Sequence, residues 1–372
     1  MEKRKPSSRF GRAVLASVLF GSLACSGNAD VLGACSDVPS GRAVCDFTNP
    51  EDLALIPATP WILVSEFPPE GEAGAIVGFR SVDGRRRTLY PQGPDEGLLS
   101  APAPMTGWGD PECPGPPDAD RFAPHGLDVR SDSNGAGVVA VVNHGGRHAV
   151  ELFEVGYAAG GPAVGWRGCV EMPDGAWPND VAFWPGGGFA VTDMMSPPDE
   201  SGAMWSGLKL ALGARTGRIL RWTPHDGLVP VEGGEGSGPN GIAVSPDGSE
   251  VFFSEWGAQK LVRLRLDGKP RRTEIDLSMR PDNLSWARDG RLLVAGQRGG
   301  FGEILACGQI EGGTCALGYA VIAVEPASLE KTVLIESEAE YTGAVSSALH
   351  VGGELYLGTF AGDRLARSEF PR

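Results

Sequence analysis

The sequence predicts an all-β protein, a six-bladed β-propeller with polar side chains gathered in its central channel. The main observation is a recurring unit: a proline, a polar residue, a short apolar strand, a tight turn and a second apolar strand. The clearest copy runs from Pro239 to Ser254. The 55 glycines and 30 prolines among 372 residues indicate many turns and little helix. Six units spaced roughly 40 to 75 residues apart favour one closed array of sheets over two separate domains.

The residue after the repeated proline is polar in five of the units. These residues are Glu51, His125, Asn179, Asn240 and Asp282, and a degenerate sixth unit begins at Val345. Equivalent positions lie at equal heights around the channel of a propeller. The five side chains are therefore predicted to converge on one point.

The first 29 residues are predicted to be a secretory signal peptide. A basic start precedes an apolar run, Ala13–Phe20, that is too short to span a membrane. Cleavage fits after Ala24 or after Ala29. Cys25 is also a candidate for lipid attachment to a membrane, although Ser22 departs from the usual lipoprotein signal. Secretion and lipid anchoring both stay open, and the expected location is exported: periplasmic, extracellular or lipid-anchored.

Residues 30–47 are predicted to form an N-terminal segment, and residues 48–372 the propeller. Six cysteines remain after the signal, an even number that suits an oxidising compartment and allows fifteen pairings. The favoured bridges are Cys35–Cys45 and Cys307–Cys315, which are local, and Cys113–Cys169, which remains. Free buried thiols are the alternative. No cysteine or histidine spacing indicates a zinc site.

The net charge of -15 argues against a nucleic-acid partner, which requires a basic surface. The same acidic balance suits an exported protein that holds a divalent cation. We expect a monomer whose partner is a small molecule.

Three segments need separate assignment. Residues 66–122 are the longest irregular stretch, with candidate strands at Ala75–Phe79 and Arg87–Tyr90. Residues 138–155 predict a hairpin with His144 at its mouth. Residues 194–214 place apolar side chains partly at helical spacing. Two interpretations stay open for that last segment: a short helix or lid over one end of the channel, or an element packed between blades.

The converging side chains suit calcium, a hard cation that takes six to eight oxygen ligands. The candidate ligands are the carboxylates of Glu51 and Asp282 and the amide oxygens of Asn179, Asn240 and Asn283. Two facing carboxylates would repel each other without a cation. Ordinary turn chemistry is the alternative, because such residues are common in turns. Five polar residues at one repeat position favour the metal.

Two histidines are candidates for acid–base chemistry, because imidazole can accept a proton from water near neutral pH. They are His125, at the repeat position, and His144. The alternative for both is a structural hydrogen-bonding role. His148, His225 and His350 are interpreted as surface residues.

Several motifs, in one order from about residue 48 to 368, resemble the paraoxonase family of calcium-dependent lactonases. The motifs are Glu51–Leu53, Phe122–Leu127, Val142–His144, Asn179–Asp180, Asn240–Gly248 and Asp282–Asn283. The resemblance implies a six-bladed propeller with two calcium ions, one catalytic and one structural, that hydrolyses lactones and aryl esters. Related sugar-lactonase propellers share the fold but carry different ligands.

The resemblance also implies roles for individual residues. Asp52 and Asp180, with the backbone carbonyls of Leu53 and Leu127, would hold the structural ion. The catalytic calcium would polarise the substrate carbonyl. His125 would activate water, and His144 would orient it or relay the proton.

The sequence departs from the family at several points. Arg367 stands where a cysteine would close the ring, so closure is expected to rest on strand pairing. Gln297 replaces a pocket histidine, and Thr192–Met195 replaces an Asp-His pair. These changes bear on the substrate more than on the metal. Two other function classes stay open: a non-catalytic, calcium-stabilised propeller that binds a ligand or partner, and a strictosidine-synthase-like propeller.

Overall fold

A computed structural model describes residues 29–69, 71–92, 105–131, 137–158, 160–195 and 203–371, with the backbone alone for 203–206. Most of the predicted signal peptide, including Cys25, lies outside the described residues, as does the Asn134–Gly135 turn. Among the described residues no helix is long and apolar enough to span a bilayer. The fold is the predicted one: six four-stranded antiparallel sheets arranged as the blades of a propeller.

The N-terminal segment precedes the first blade, and each of blades 1 to 3 takes four consecutive strands. The N-terminal segment contains β1 (Val31–Leu32), a 3-10 turn (Cys35–Asp37) and β2 (Ala43–Cys45). Blade 1 is β3 (Pro50–Leu55), β4 (Trp61–Glu66), β5 (Ala75–Arg80) and β6 (Arg86–Tyr90). Blade 2 is β7 (Pro124–Ser131), β8 (Gly137–Asn143), β9 (Ala149–Ala158) and β10 (Gly161–Glu171). Blade 3 is β11 (Pro178–Phe183), β12 (Phe189–Asp193), β13 (Arg218–Thr223) and β14 (Gly227–Pro230), with helix α1 (Ala203–Ala211) between β12 and β13.

Blades 4 to 6 complete the ring. Blade 4 is β15 (Pro239–Val244), β16 (Glu250–Glu255), β17 (Lys260–Arg265) and β18 (Arg271–Asp276). Blade 5 is β19 (Arg280–Trp286), β20 (Leu292–Gln297), β22 (Tyr319–Val324) and β23 (Lys331–Ser337), with α2 (Phe301–Cys307) and β21 (Thr314–Cys315) inserted after β20. Blade 6 is β24 (Val345–Val351), β25 (Glu354–Thr359), β26 (Arg364–Glu369) and, as its outermost strand, β2.

Strand β2 closes the ring by pairing antiparallel with β26, where Ala43 faces Ala366. The next backbone contact outward is the amide of Arg367, which donates to the carbonyl of Arg42 at 2.7 Å. Strand pairing thus closes the ring, as was expected because Arg367 stands where a closing cysteine would. The three favoured disulfides form, and Cys35–Cys45 fastens the segment that carries β2.

The core consists of a separate apolar cluster between each pair of neighbouring blades. Alternation along the strands produces this arrangement, because successive side chains point to opposite faces of a sheet. In β8, Val139 and Val141 pack towards blade 1, whereas Ala140 and Val142 pack towards blade 3. A blade is therefore apolar on both faces, and its strands are buried without a polar stripe.

The segment predicted as a helix or lid contains α1, which packs with α2 in an additional apolar cluster. This cap cluster includes Leu210, Trp256, Ile304, Cys307, Cys315 and Leu317. Both helices connect the second and third strands of a blade, and Pro178 at the start of β11 pairs with Asp193 at the end of β12. The cap cluster therefore covers the end of the propeller where the innermost strands begin. The strands predicted at Ala75–Phe79 and Arg87–Tyr90 are β5 and β6.

Candidate functional site

Every innermost strand is irregular at its first residues. The pairing register shifts just after Pro50, Pro124, Pro178, Pro239 and Pro281, and after Val345 in the sixth blade. A bulge releases a residue from the regular ladder and re-aims its side chain. The residue after the proline, which the sequence singled out, is released in this way in five blades. The sixth blade has Ser346 at the corresponding place.

Direct contacts join these positions around the channel. A ring nitrogen of His125, Nδ1, lies 3.5 Å from Glu51 Oε2 and 3.1 Å from the carbonyl oxygen of Asn179. Asn283 Nδ2 donates to Glu51 Oε1 at 2.8 Å, and the Asn240 side chain donates to Asp282. In blade 6, the Ser346 hydroxyl donates to the carbonyl of Glu51 at 2.6 Å. All six blades thus contribute to one polar site.

Four side-chain oxygens of this site are buried without any hydrogen-bond partner. They are Glu51 Oε2, Asn179 Oδ1, Asn240 Oδ1 and Asn283 Oδ1. In Asn240 and Asn283 the amide nitrogen is engaged with a carboxylate, which fixes the amide and leaves its oxygen unpaired. Buried polar atoms nearly always have a partner, and an unmade bond costs about 1–3 kcal/mol each. These oxygens are the donor set that a hard cation requires, so the residues present fit calcium.

The ionised forms of the carboxylates in this site are destabilised by burial. Burial, together with the nearby charges of Asp282, Asp52 and Asp180, raises the pKa of Glu51 well above its ordinary value. Burial raises the pKa of Asp282 to about 7, against hydrogen bonds from Gln297 and Asn240 that lower it. A cation beside these groups would favour their charged forms. No group of three or more histidine, cysteine, aspartate and glutamate side chains in the described part of the chain is placed to hold a metal. The four unpartnered oxygens instead combine one carboxylate oxygen with three amide oxygens.

Asp52 and Asp180, predicted for the structural ion, are engaged with the backbone. Asp52 Oδ2 accepts the amide of Leu127 at 2.9 Å, from blade 1 to blade 2. Asp180 Oδ2 accepts the amide of Ile242 at 2.8 Å, from blade 3 to blade 4. Their Oδ1 atoms accept the amides of the residues that follow them. Burial raises the pKa of Asp52 to about 7 and that of Asp180 well above its ordinary value. These carboxylates are therefore bridges between blades.

Glycine follows the site residue in blades 2 and 4, and each glycine lies against the innermost strand of the next blade. A Cβ on Gly126 would lie 2.5 Å from Asp180 Cα, and one on Gly241 would lie 2.3 Å from the carbonyl oxygen of Asp282. Neither contact is sterically possible without moving backbone. The missing side chains leave the space that Asp180 and Asp282 occupy.

We expect Gly126→Ala to lower the free energy of unfolding by about 3 kcal/mol, because the added methyl overpacks against backbone. Urea unfolding measures this change. Gly353→Ala is the matched control, since nothing lies within 4 Å of a Cβ at Gly353. Equal stability of the two variants would contradict the close approach of blades 2 and 3.

The proton on His125 is placed by its hydrogen bond. Nδ1 faces the carbonyl oxygen of Asn179, which can only accept, so Nδ1 carries the hydrogen and Nε2 carries the lone pair. Burial lowers the pKa of His125 to about 4. The imidazole is therefore neutral at pH 7, with a basic nitrogen.

His144 belongs to a cluster of three histidines, of which the sequence predicted His125 and His144 but not His148. Its ring lies edge-on to that of His125 with centroids 5.3 Å apart, and its Nδ1 lies 3.0 Å from Nδ1 of His148. Burial, and then the neighbouring His125 and His148, lower the pKa of His144 well below its ordinary value. The interpretation of His148 as a surface residue is wrong. Its ring packs at 4.9 Å against Trp177, and its position four residues after His144 was the available signal.

Aromatic and cap residues form the walls around the polar site. On one side, Phe67 packs edge-on to His125 at 5.0 Å, and Trp177 remains 44% exposed. On the other side, buried Gln297 donates to Asp282 and accepts from the indole nitrogen of Trp256 at 3.1 Å. Gln297, which stands where the paraoxonase family has a pocket histidine, therefore positions the candidate ligand Asp282 and links the site to the cap cluster.

These features define a six-bladed propeller with one polar, oxygen-rich site at the capped end of its channel. No family model matches the sequence, and no curated protein matches it. Among solved structures, the fold is similar to that of a gluconolactonase from Xanthomonas campestris, at 17% identity and a TM-score of 0.52, over 93% of this chain and 95% of that one. It is also similar to a luciferin-regenerating enzyme, at 13% identity and a TM-score of 0.51, over 87% of this chain and 92% of the other. At such identities the likeness concerns the fold.

Proposed function

We propose that this protein is a calcium-dependent hydrolase of lactones and aryl esters. The observation that carries the proposal is the set of four unpartnered, buried oxygens beside a neutral histidine with a free nitrogen. The oxygens are thus available to a cation, and the nitrogen is available to a proton. The similarity in fold to a gluconolactonase supports the lactone part, and the paraoxonase-like motifs support the aryl-ester part.

Glu51, Asn179, Asn240, Asp282 and Asn283 are the proposed ligands of the catalytic calcium. They would offer two charged and three neutral side chains, and oxygen ligands of this kind suit calcium. A bound calcium supplies Lewis-acid polarisation of a carbonyl oxygen. Gln297 and the amide nitrogens of Asn240 and Asn283 hold the carboxylates in place through hydrogen bonds.

His125 is the proposed general base. Its Nδ1–H is held by the carbonyl of Asn179, so Nε2 is the atom that accepts a proton from the attacking water. His144 is proposed to orient His125 and relay the proton, with His148 fixing His144 through their 3.0 Å contact. Phe67 and Trp177 pack against these histidines and would contact a substrate on this side.

A second, structural ion is proposed at Asp52 and Asp180, with the carbonyl of Leu127. Every carboxylate oxygen there already accepts a backbone amide. Each oxygen retains a further lone pair, and a cation there would favour the charged forms that burial disfavours in both groups.

We expect Asp180→Ala to lower the melting temperature more than Asn240→Ala. The first change leaves the amides of Val181 and Ile242 without partners, whereas the second removes an amide whose oxygen has none. Thermal melts in calcium and in chelator test both points. A difference that is larger in calcium supports the second ion, and an equal difference assigns the loss to the blade bridges alone. Equal melting temperatures in calcium would contradict the bridging role.

Export is likewise proposed, and the three disulfides support an oxidising compartment. The acidic chain is proposed to act as a monomer on a small-molecule substrate. Mass spectrometry of the mature protein distinguishes cleavage after Ala24 or Ala29 from lipid attachment at Cys25.

The decisive experiment measures hydrolysis of gluconolactone, a longer-chain lactone and phenyl acetate, with calcium and with a chelator. Elemental analysis of the same preparation tests for calcium. The expected result is activity on at least one lactone or ester that the chelator abolishes and calcium restores. Calcium binding without any hydrolysis would instead favour a non-catalytic binding propeller. Hydrolysis that is indifferent to chelation would contradict the role of the oxygen set.

A further inference from the structure

A second cavity lies outside the channel, between the end of α1 and blade 4. Its volume is about 650 Å³, and none of the proposed calcium ligands lines it. One wall is Ala211–Gly213, where Gly213 adopts a left-handed conformation (φ +71°) that ends the helix. The other walls are the turn between β16 and β17 and the start of β19. Such a volume suits a small organic molecule.

The cavity carries an excess of positive charge in a chain whose net charge is -15. Four basic and two acidic side chains line it: Arg215, Lys260, Arg272, Arg280, Glu255 and Glu274. Both acids are already paired, Glu255 with Arg272 at 2.7 Å and Glu274 with Lys260 at 2.8 Å. Arg215 and Arg280 have no carboxylate within 4 Å among the described residues.

Arg280 is the more unusual of the two, because it is buried with only 9% of its surface exposed. Its Nη1 donates to the carbonyls of Trp256 and Gly257, both at 3.2 Å, and its Nε is buried without a partner. A buried charge is costly unless it is paired. The two carbonyls and the Trp256 ring, 4.9 Å away, supply only partial compensation.

The adjoining end of α1 does not oppose an anion. A helix C-terminus usually carries partial negative charge on its last carbonyls. Here the carbonyls of Leu208, Lys209 and Leu210 accept the amides of Leu212, Ala214 and Gly213, at 3.0, 2.8 and 3.0 Å. Hydrogen bonds thus occupy these carbonyls, which reduces their repulsion of an anion.

We propose that this cavity binds a small organic dianion through the guanidinium groups of Arg215 and Arg280. Guanidinium presents paired donors that match a phosphate or a carboxylate, and such charge-assisted bonds are strong. A phosphate monoester and a dicarboxylate share this chemistry. The proposal does not rest on the hydrolase activity, because none of the lining residues belongs to the oxygen set or the histidine cluster.

Isothermal titration calorimetry with glucose 6-phosphate, succinate and inorganic phosphate tests the proposal and separates the two kinds of anion. We expect binding of at least one probe by the full mature protein. Arg215→Ala and Arg280→Lys should each weaken it about tenfold or more, the loss of one charge-assisted hydrogen bond. The lysine variant retains the buried charge and removes only the paired donors.

Arg288→Ala is the matched control, because Arg288 is exposed on the turn between β19 and β20, away from the cavity. Asn240→Ala is a second control that alters the channel alone. Neither should change binding of the probe. No binding of any probe at millimolar concentration, or binding that both cavity variants retain in full, would overturn the proposal. Binding lost in Asn240→Ala would place the anion in the channel and overturn it as well.

Discussion

Replacing His125 with glutamine is expected to lower the rate of lactone hydrolysis about 10²–10⁴-fold, the usual effect of removing a general base. Glutamine has about the size of imidazole and can still donate to the carbonyl of Asn179, as Nδ1 does at 3.1 Å. It cannot accept a proton at neutral pH. Fold and calcium content should therefore be unchanged, and the loss should appear in kcat.

Initial rates measured against calcium concentration for wild type and two variants provide the control. Asn240→Ala removes an unpartnered oxygen and a donor to Asp282, so it should weaken calcium affinity and recover partly at high calcium. His125→Gln should not recover at any calcium concentration. Wild-type rates in His125→Gln would show that another group is the base, and His144 would then be the next to test.

Removal of the proposed calcium is expected to make the stability of the protein fall as pH rises from 6.5 to 8. Burial raises the pKa of Asp52 and of Asp282 to about 7, and it also raises the pKa values of Glu51 and Asp180 well above their ordinary values. The folded apo-protein therefore holds protons that the unfolded chain has already lost. Stability falls with pH wherever the folded state binds more protons, by up to about 1.4 kcal/mol per pH unit and group.

The lower limit of that pH range is set by the histidines. The pKa of His125 is lowered to about 4, so its contribution has the opposite sign, and most of it is already present at the unfolded value of 6.5. Between pH 6.5 and 8 the carboxylates alone should lower stability by about 2 kcal/mol or more. Chemical denaturation at several pH values, in chelator and in calcium, measures this.

In calcium the carboxylates should stay ionised and the pH dependence over this range should largely disappear. Exposed groups such as His225 contribute equally in both conditions and cancel in the comparison. Glu51→Gln, which removes one of the raised carboxylates, should reduce the slope in chelator. A flat profile in chelator would contradict the buried acidic cluster.

Much of the candidate site could be predicted because the propeller repeats one local pattern. A proline followed by a polar residue recurs at the start of five of the six innermost strands, and symmetry brings equivalent positions together. The sequence could not specify which atoms would be unpaired. That depends on contacts such as the one from Asn283 to Glu51, which are 232 residues apart.

The sequence alone predicted the fold class and the ring of polar residues, because strand alternation, turn residues and repeat spacing are local properties, whereas it only favoured three of the fifteen possible disulfide pairings. The tertiary structure decided the rest. It made β2 the outer strand of blade 6, and it joined His148 to His144 beside Trp177. It also placed buried Arg280 against the turn of blade 4 without a carboxylate among the described residues. These arrangements depend on burial and on contacts between distant segments, and neither is encoded in any single stretch of the chain.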